Sequence, residues 1–158
     1  MSLIDSFERK ITYLRVSVTD RCDLRCQYCM NKKMTFLPKK QLLTLEEIER
    51  LCDNFIELGV NKIRLTGGEP LVRKNIMHLI NQLGSKIRDS KFKELTLTTN
   101  GTLLSKYAKN LKEAGVDRIN VSLDTLNPDK YKKITHYGDI SKVLQGITIA
   151  HQFNITIK

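Results

Sequence analysis

The most constraining feature of this sequence is a regular alternation of short strand-like segments with amphipathic helical segments. The predicted strands are residues 13–19, 62–66, 94–98, 118–123 and 155–158. Between them, apolar residues recur at helical spacing, and one helix opens with the capping-box pattern of Thr44 and Glu47. Strands that alternate with helices of this length predict an α/β fold with a parallel sheet.

Glycine and proline mark the expected ends of the helices. Gly59 follows the first helical pattern, and the apolar positions within 76–83 stop just before Gly84, which is expected to end the second helix. Residues 127–128 are an Asn-Pro pair, which predicts the N-terminus of a further helix. The last helix is expected over 140–151.

Within each predicted strand, apolar and polar residues alternate, so one face of the sheet is apolar and the other is polar. This is unusual, because parallel strands that are covered on both faces read as continuous apolar runs. If the sheet curls towards a barrel, the polar face becomes the wall of a ligand chamber; the alternative is an open sheet with one face in water. The polar face is expected to carry Arg15, Lys62, Arg64, Asn120 and Ser122.

The cations on this face predict an anionic ligand. Arg15, Lys62 and Arg64 would be costly to bury together without a partner of opposite charge. A triphosphate meets this requirement, because arginine binds phosphate oxygens through two parallel hydrogen bonds. Salt bridges to Glu69 or Asp124 are the structural alternative.

The predicted strands end in turns that suit ligand contacts. Residues 67–70 read Gly-Gly-Glu-Pro, and consecutive glycines let a backbone approach a ligand closely and expose its N–H and C=O groups. Residues 98–101 read Thr-Thr-Asn-Gly, and residues 122–124 read Ser-Leu-Asp. All three turns lie at the carboxyl ends of strands, which is the edge where parallel α/β folds place their sites.

Three cysteines, Cys22, Cys26 and Cys29, fall within eight residues directly after the first predicted strand. Three thiolates can hold a four-iron cluster and leave one iron open, whereas a closed structural zinc site requires four ligands. The next cysteine, Cys52, lies in the apolar stripe of a predicted helix and is expected to be a core residue. The spacing favours an iron–sulfur cluster, with structural zinc as the alternative.

Composition and charge narrow the class of protein. The net charge is +10, but the basic residues occur as scattered pairs and never as a run of five, so nucleic-acid binding is not expected. The sequence contains neither the apolar core of a signal peptide nor an apolar run long enough to span a bilayer. These features predict a cytoplasmic protein with reduced thiols, whose residues 1–158 form a single domain.

The order of these motifs resembles the radical S-adenosylmethionine (SAM) superfamily. The resemblance rests on the cysteine motif, the Gly-Gly-Glu-Pro turn and the Thr-Asn-Gly turn at successive strand ends. More narrowly, the chain resembles the N-terminal portion of the GTP 3′,8-cyclase family of molybdenum cofactor biosynthesis. That narrower resemblance is carried by residues 14–22, 34–38, 64–73 and 118–124.

The resemblance implies a fold, a set of cofactors and a set of site residues. The fold would be a parallel (β/α) partial barrel of the radical SAM type. Cys22, Cys26 and Cys29 would bind one [4Fe-4S] cluster, whose open iron would hold SAM. The implied SAM contacts are Tyr28, Gly68, Thr98 and Ser122. The implied GTP contacts are Arg15, Lys62, Arg64 and Thr66.

The implied reaction is reductive cleavage of SAM to a 5′-deoxyadenosyl radical, which takes the ribose 3′ hydrogen of GTP. The resulting carbon radical attacks C8 of guanine and yields 3′,8-cyclo-7,8-dihydro-GTP, so the enzyme would be a lyase. The implied partners are a reductant protein of the flavodoxin or ferredoxin type and the downstream cyclic pyranopterin monophosphate synthase. Exposed edges at the first and last strands also favour association into a homo-oligomer.

The chain is shorter than the pattern of that family. Such cyclases have a six-unit partial barrel and a C-terminal region that binds a second [4Fe-4S] cluster, whereas this chain reaches about four and a half β/α units and has only Cys52 left as a thiol ligand. We therefore expect it to correspond to the N-terminal part and to be incompetent for full turnover. The alternatives are another radical SAM enzyme, such as a peptide modifier, and a non-catalytic basic zinc-binding domain. The histidines expected on the surface or in packing are His78, His136 and His151.

Overall fold

The order of strands in the sheet follows their order in the chain. The computed structural model describes residues 3–31, 33–89 and 92–158, and in them five parallel strands lie in the order β1-β2-β3-β4-β5. The strands are β1 Tyr13–Ser17, β2 Lys62–Thr66, β3 Glu94–Thr99, β4 Arg118–Val121 and β5 Thr156–Ile157. The helices are α1 Leu45–Glu57, α2 Ile76–Asp89, α3 Leu104–Glu113, α4 Pro128–Thr135 and α5 Ile140–Gln152, with 3-10 turns at Lys39–Gln41 and Pro70–Val72. The prediction of an α/β fold with a parallel sheet is confirmed.

Local sequence signals set most of the element boundaries. Thr44 Oγ1 accepts a hydrogen bond from Glu47 N at 3.1 Å, and the Glu47 carboxylate accepts one from Thr44 N at 2.7 Å. These two bonds complete the predicted capping box at the start of α1. Asn127 caps α4 through its side chain, also as predicted. The first and fourth strands end earlier than predicted, so residues 18–19 and 122–123 lie in the loops that follow.

Gly84 does not end α2, contrary to the expectation from sequence. The helix continues through Gly84 to Asp89. A Cβ atom at this position would lie 1.7 Å from the carbonyl oxygen of Ala114, in the turn after α3. The glycine therefore permits close approach of α2 to that turn, and apolar spacing alone does not distinguish this role from a helix stop.

The apolar face of the sheet packs against the helices. Its side chains join the apolar faces of α1, α2 and α3 in one core, and Cys52 of α1 is fully buried there, in agreement with its predicted packing role. No helix in the described part of the chain is both long and apolar enough to cross a bilayer. The strand residues of the core that are at most 1% exposed are Ile63, Leu65, Leu95, Leu97 and Ile119.

Candidate functional site

The cysteine loop lies at the carboxyl end of β1 and is tied to the C-terminal end of α4. Arg25 N donates to Thr135 O at 3.1 Å, and Gln27 N donates to Ile134 O at 2.9 Å. Further along the loop, the backbone N–H groups of residues 29 and 30 both donate to Cys26 O, at 2.9 and 3.0 Å. These bonds form one helical turn between the second and third cysteines, so the loop has a fixed backbone next to α4.

The three thiols of this loop are free and differ in exposure. Cys22 and Cys26 are partly buried, whereas Cys29 is exposed. Burial raises the pKa of the Cys22 thiol to about 11 and also raises the pKa of Cys26. Within residues 3–31, 33–89 and 92–158, no three His, Cys, Asp or Glu side chains converge as a metal site. The donor set still fits a thiolate-bound cluster, because all three sulfurs belong to one short loop and none is in a disulfide.

A cavity of about 470 Å³ opens beside the cysteine loop. Its lining includes Tyr28, Cys29 and His136. Tyr28 is 69% exposed, and its hydroxyl donates to Asp124 Oδ2 at 2.9 Å. The cavity thus places an aromatic face next to a predicted metal ligand. Sequence patterns gave no signal that His136 lies near this loop rather than elsewhere on the surface.

The Gly-Gly turn after β2 packs directly on the segment that follows β1. A Cβ atom would lie 2.4 Å from Thr19 O at Gly67 and 2.3 Å from Arg21 O at Gly68. Gly68 N donates to Thr19 O at 2.7 Å, and Glu69 N donates to Arg21 O at 2.8 Å. The expectation that this turn exposes its N–H groups to a ligand is therefore wrong for the amides of Gly68 and Glu69, because both donate to backbone carbonyls between β1 and Cys22. The contact of Gly68 with SAM stays a prediction.

Glu69 joins this turn to the end of β3 from a fully buried position. Its carboxylate accepts hydrogen bonds from Leu71 N at 3.0 Å, Thr99 Oγ1 at 2.9 Å and Asn100 N at 2.7 Å. A salt bridge from Glu69 to the strand cations, the structural alternative considered from the sequence, does not form among the described residues. The partners of Glu69 are neutral donors from two strand ends, so the carboxylate holds the two loops together.

The pH dependence of folding should report on this buried carboxylate. Burial raises the pKa of Glu69 to about 7, against the effect of the hydrogen bonds that it accepts. Because the folded state binds this proton more tightly than the unfolded chain, stability is lost as pH rises from about 4 to about 7. We expect roughly 3 kcal/mol of unfolding free energy to be lost over this range relative to Glu69→Gln, which does not titrate.

Urea unfolding of the metal-free protein at a series of pH values measures this difference. Glu57→Gln, which removes an exposed carboxylate at the end of α1, is the matched control. Parallel pH curves for the wild type and Glu69→Gln would contradict the assignment.

The Thr-Asn-Gly turn after β3 reaches the cysteine loop through side chains that sequence patterns did not single out. Asn100 Nδ2 lies 2.7 Å from Asp23 Oδ1 and 3.7 Å from Cys22 Sγ. Thr102 Oγ1 donates to Asp23 Oδ2 at 2.5 Å. An Asn-Gly pair is common in turns. Nothing in the local sequence therefore indicated these contacts, which join residues more than seventy positions apart in the chain.

The polar face of the sheet carries the predicted cations side by side. Arg15 pairs in register with Arg64, and Lys62 lies on the same face two residues earlier in β2. Arg64 Nε donates to Thr96 Oγ1 at 3.3 Å, and its guanidinium lies over the Tyr13 ring at 5.5 Å. Neither Arg15 nor Arg64 forms an ion pair with a described residue of the chain.

Lys62 has an acidic partner, Glu94, that no sequence pattern indicated. Its Nζ lies 2.8 Å from Glu94 Oε2, and Arg118 of β4 lies 2.5 Å from the other carboxylate oxygen. Arg118 is a further cation on this face, because it pairs with Thr96 just as Arg64 does. The alternative of salt bridges to acidic residues thus holds for Lys62, but its partner is Glu94 and not Glu69 or Asp124. The alternation of polar and apolar residues in β4 predicts that Arg118 lies on the polar face. That Glu94 pairs with Lys62 and Arg118 depends on the register of the strands, which the alternation does not give.

The other predicted contact residues lie near the carboxyl end of the polar face. Thr66 pairs with Ser17 of β1, and Thr98 pairs with Asn120 of β4. Ser122 directly follows β4, and its N–H donates to the carbonyl oxygen at the end of β3 at 2.9 Å. Asn120 Oδ1 is buried and has no hydrogen-bond partner among the described residues. Thr66, Thr98 and Ser122 therefore lie on the polar face or at the carboxyl end of its strands.

Comparisons with known proteins agree with this geometry. Residues 16–158 match the family model of the radical SAM superfamily. Over 156 residues, the chain is 66% identical to a GTP 3′,8-cyclase of Rhizobium etli, a match that covers 99% of this chain and 44% of that protein. It is 63% identical to a GTP 3′,8-cyclase of Brucella ovis, with 99% and 45% covered. The chain spans less than half the length of these relatives.

The fold is similar to that of a solved protein that binds S-adenosylmethionine. SuiB of Streptococcus suis, in its crystal structure with S-adenosylmethionine bound, matches 92% of this chain and 32% of its own length, with a TM-score of 0.76 and 18% identity. At this identity the likeness concerns the fold, and it confirms the predicted partial-barrel arrangement. The family model covers nearly the whole chain, and the three-cysteine loop lies at the predicted strand end. The chain therefore belongs to the radical SAM superfamily.

Proposed function

We propose that this chain forms the cluster-binding and SAM-binding portion of an enzyme that converts GTP to 3′,8-cyclo-7,8-dihydro-GTP in molybdenum cofactor biosynthesis. The observation that carries the proposal is the common position of two features. The three-cysteine loop follows β1. Arg15 and Arg64, which have no ion-pair partner among the described residues, lie in register on the polar face of β1 and β2. A radical site and a phosphate site would thus share the same two strands.

Each predicted residue has a task that its position supports. Cys22, Cys26 and Cys29 would hold the cluster, and the bound cluster with SAM would supply one-electron radical chemistry. The exposed ring of Tyr28 would stack on the adenine of SAM. The remaining predicted SAM contacts, at the carboxyl ends of the strands, are Gly68, Thr98 and Ser122.

The GTP triphosphate would lie against the polar face of the sheet. Arg15 and Arg64 are the strongest candidates for phosphate contacts, because neither is neutralised by a described acidic residue, and Thr66 offers a hydroxyl beside them. Lys62 would contribute less, because Glu94 neutralises it and connects it to Arg118. This distribution of charge separates the proposed cyclase from a radical SAM enzyme that modifies peptides, which has no need of a triphosphate site.

The remaining parts of the proposal concern partners and location. A flavodoxin-type or ferredoxin-type protein would reduce the cluster, and a cyclic pyranopterin monophosphate synthase would consume the product. We place these steps in the cytoplasm, where the free thiols of the loop would stay reduced. Residues 1–158 would act as one radical SAM core domain in this scheme.

Anaerobic reconstitution with iron and sulfide tests the proposal. We expect about four irons per chain, a reduced electron paramagnetic resonance (EPR) signal that SAM shifts, and complete loss of both in the Cys22→Ala, Cys26→Ala, Cys29→Ala triple variant. Cys52→Ala removes a buried core thiol instead and is the matched control, which should keep the cluster.

Two other outcomes distinguish the alternatives. Tightly bound zinc without a response to SAM would contradict the proposal and favour a basic zinc-binding domain. A SAM-responsive cluster in a protein that binds no GTP would favour a different radical SAM enzyme.

A further inference from the structure

We propose that Asn100 is a positioning residue for the cysteine loop: it fixes Cys22 for metal binding and stabilises the negative charge on the Cys22 sulfur. The inference rests on the proposed function, because it assumes that the three cysteines bind a cluster. It concerns Asn100 of the Thr-Asn-Gly turn, and Asn100 has no role in the proposed reaction.

The side-chain amide of Asn100 has every polar group engaged. One N–H of Nδ2 donates to Asp23 Oδ1 at 2.7 Å, and the other is directed to Cys22 Sγ at 3.7 Å. The amide oxygen accepts from Thr102 N at 3.0 Å. Since a primary amide has two donor hydrogens and one acceptor oxygen, these contacts assign a single orientation to the group. In that orientation its nitrogen faces the sulfur.

The backbone at Asn100 is also fixed by hydrogen bonds. Asn100 N donates to the fully buried carboxylate of Glu69 at 2.7 Å, and Thr99 Oγ1 donates to the same carboxylate at 2.9 Å. On the other side, Thr102 Oγ1 donates to Asp23 at 2.5 Å. The position of Cys22 is thereby coupled to the ends of two strands, rather than set by the flexibility of its own loop.

This geometry has an electrostatic consequence for a bound cluster. Cys22 Sγ accepts hydrogen bonds from Leu24 N at 3.4 Å and from the Asn100 amide. Hydrogen bonds to ligating sulfurs are among the factors that set the reduction potential of iron–sulfur clusters. A donor directed at the sulfur stabilises the more negative, reduced state. Removing the Asn100 donor should therefore lower the reduction potential.

The test is Asn100→Asp, which keeps the size of the side chain, removes its N–H donors and places a second carboxylate beside Asp23. We expect roughly tenfold or greater weakening of iron retention against a chelator. We also expect a lower potential in an EPR-monitored redox titration of the clusters that form. Asn110→Asp makes the same chemical change at an exposed position of α3 and should match the wild type.

A second variant separates the positioning of Cys22 from the stabilisation of negative charge on its sulfur. Thr102→Val removes the hydroxyl that binds Asp23 and that also lies 2.8 Å from Asn100 Oδ1. The backbone N–H of Thr102 still donates to that amide oxygen, so the Asn100 nitrogen stays directed at Cys22. The variant should therefore weaken iron retention without a shift of the potential. If Asn100→Asp does not fold, Asn100→Ser is used in its place, with the same expected results.

Each result is decisive. Wild-type iron retention and potential in Asn100→Asp would overturn the inference and leave the proposed function intact. Loss of iron with an unchanged potential would overturn the role in stabilising the sulfur. A wild-type protein that binds no iron under reconstitution would overturn the proposed function itself, and the inference with it.

Discussion

Gly68→Ala should destabilise the protein by about 3 kcal/mol or more. The added Cβ would lie 2.3 Å from Arg21 O and 2.9 Å from Asp20 O, and both are backbone atoms that cannot rotate away. The turn would have to move away from the segment that follows β1. That movement would lengthen the bond from Gly68 N to Thr19 O, which is now 2.7 Å, and the adjacent bond from Glu69 N.

Gly59→Ala is the matched control for this prediction. A Cβ at Gly59 would meet no atom within 4 Å, but its φ of +101° disfavours alanine. This strain alone should cost about 1–2 kcal/mol. Urea unfolding followed by circular dichroism measures both variants. If Gly68→Ala is no less stable than Gly59→Ala, then close contact with the backbone of Asp20 and Arg21 is not the reason that position 68 requires glycine.

Arg64→Ala should weaken GTP binding by roughly 10- to 100-fold, because a charge-assisted hydrogen bond contributes about 1.5–3 kcal/mol. The same holds for Arg15→Ala, since the two arginines are register partners on the polar face. SAM binding should change by less than about twofold, because the predicted SAM contacts lie at the strand ends. Equilibrium dialysis with each ligand measures the two affinities separately.

Lys62→Ala provides the internal comparison for the arginine variants. Lys62 is neutralised by Glu94, and its removal leaves that carboxylate with Arg118 at 2.5 Å. Its loss should therefore weaken GTP binding less than the loss of Arg64. Equal losses of GTP and SAM affinity in Arg64→Ala would contradict a phosphate role for this residue. A larger effect of Lys62→Ala than of Arg64→Ala would contradict the assignment of Lys62 to Glu94.

The sequence predicted those parts of the fold and site that depend on local patterns. The capping box of Thr44, the alternation that separates the two faces of the sheet, and the position of the cysteine loop after β1 were all found this way. Each of these signals lies within one segment of about ten residues. The burial of Cys52 was also predicted from a local pattern, because the apolar residues around it recur at helical spacing.

The parts that sequence reasoning missed depend on partners from distant segments. Glu94 pairs with Lys62 and Arg118 only because β2, β3 and β4 adopt one particular register. Gly84 is required by the carbonyl oxygen of Ala114, thirty residues away. Glu69 likewise receives donors from the end of β3. Neither register nor helix packing can be read from a single segment, so these residues had no local signal.

The strand order has a consequence for how the protein assembles during synthesis. Because each strand lies next to the strand that precedes it in the chain, every new β/α unit can dock on an edge that already exists as the nascent chain emerges. The cysteine loop is the exception, because its bonds to Thr135 and Ile134 form only once α4 has been made. The cysteine loop lies near the start of the chain, yet it reaches its final bonding only after α4 has been made, and its thiols stay accessible until then.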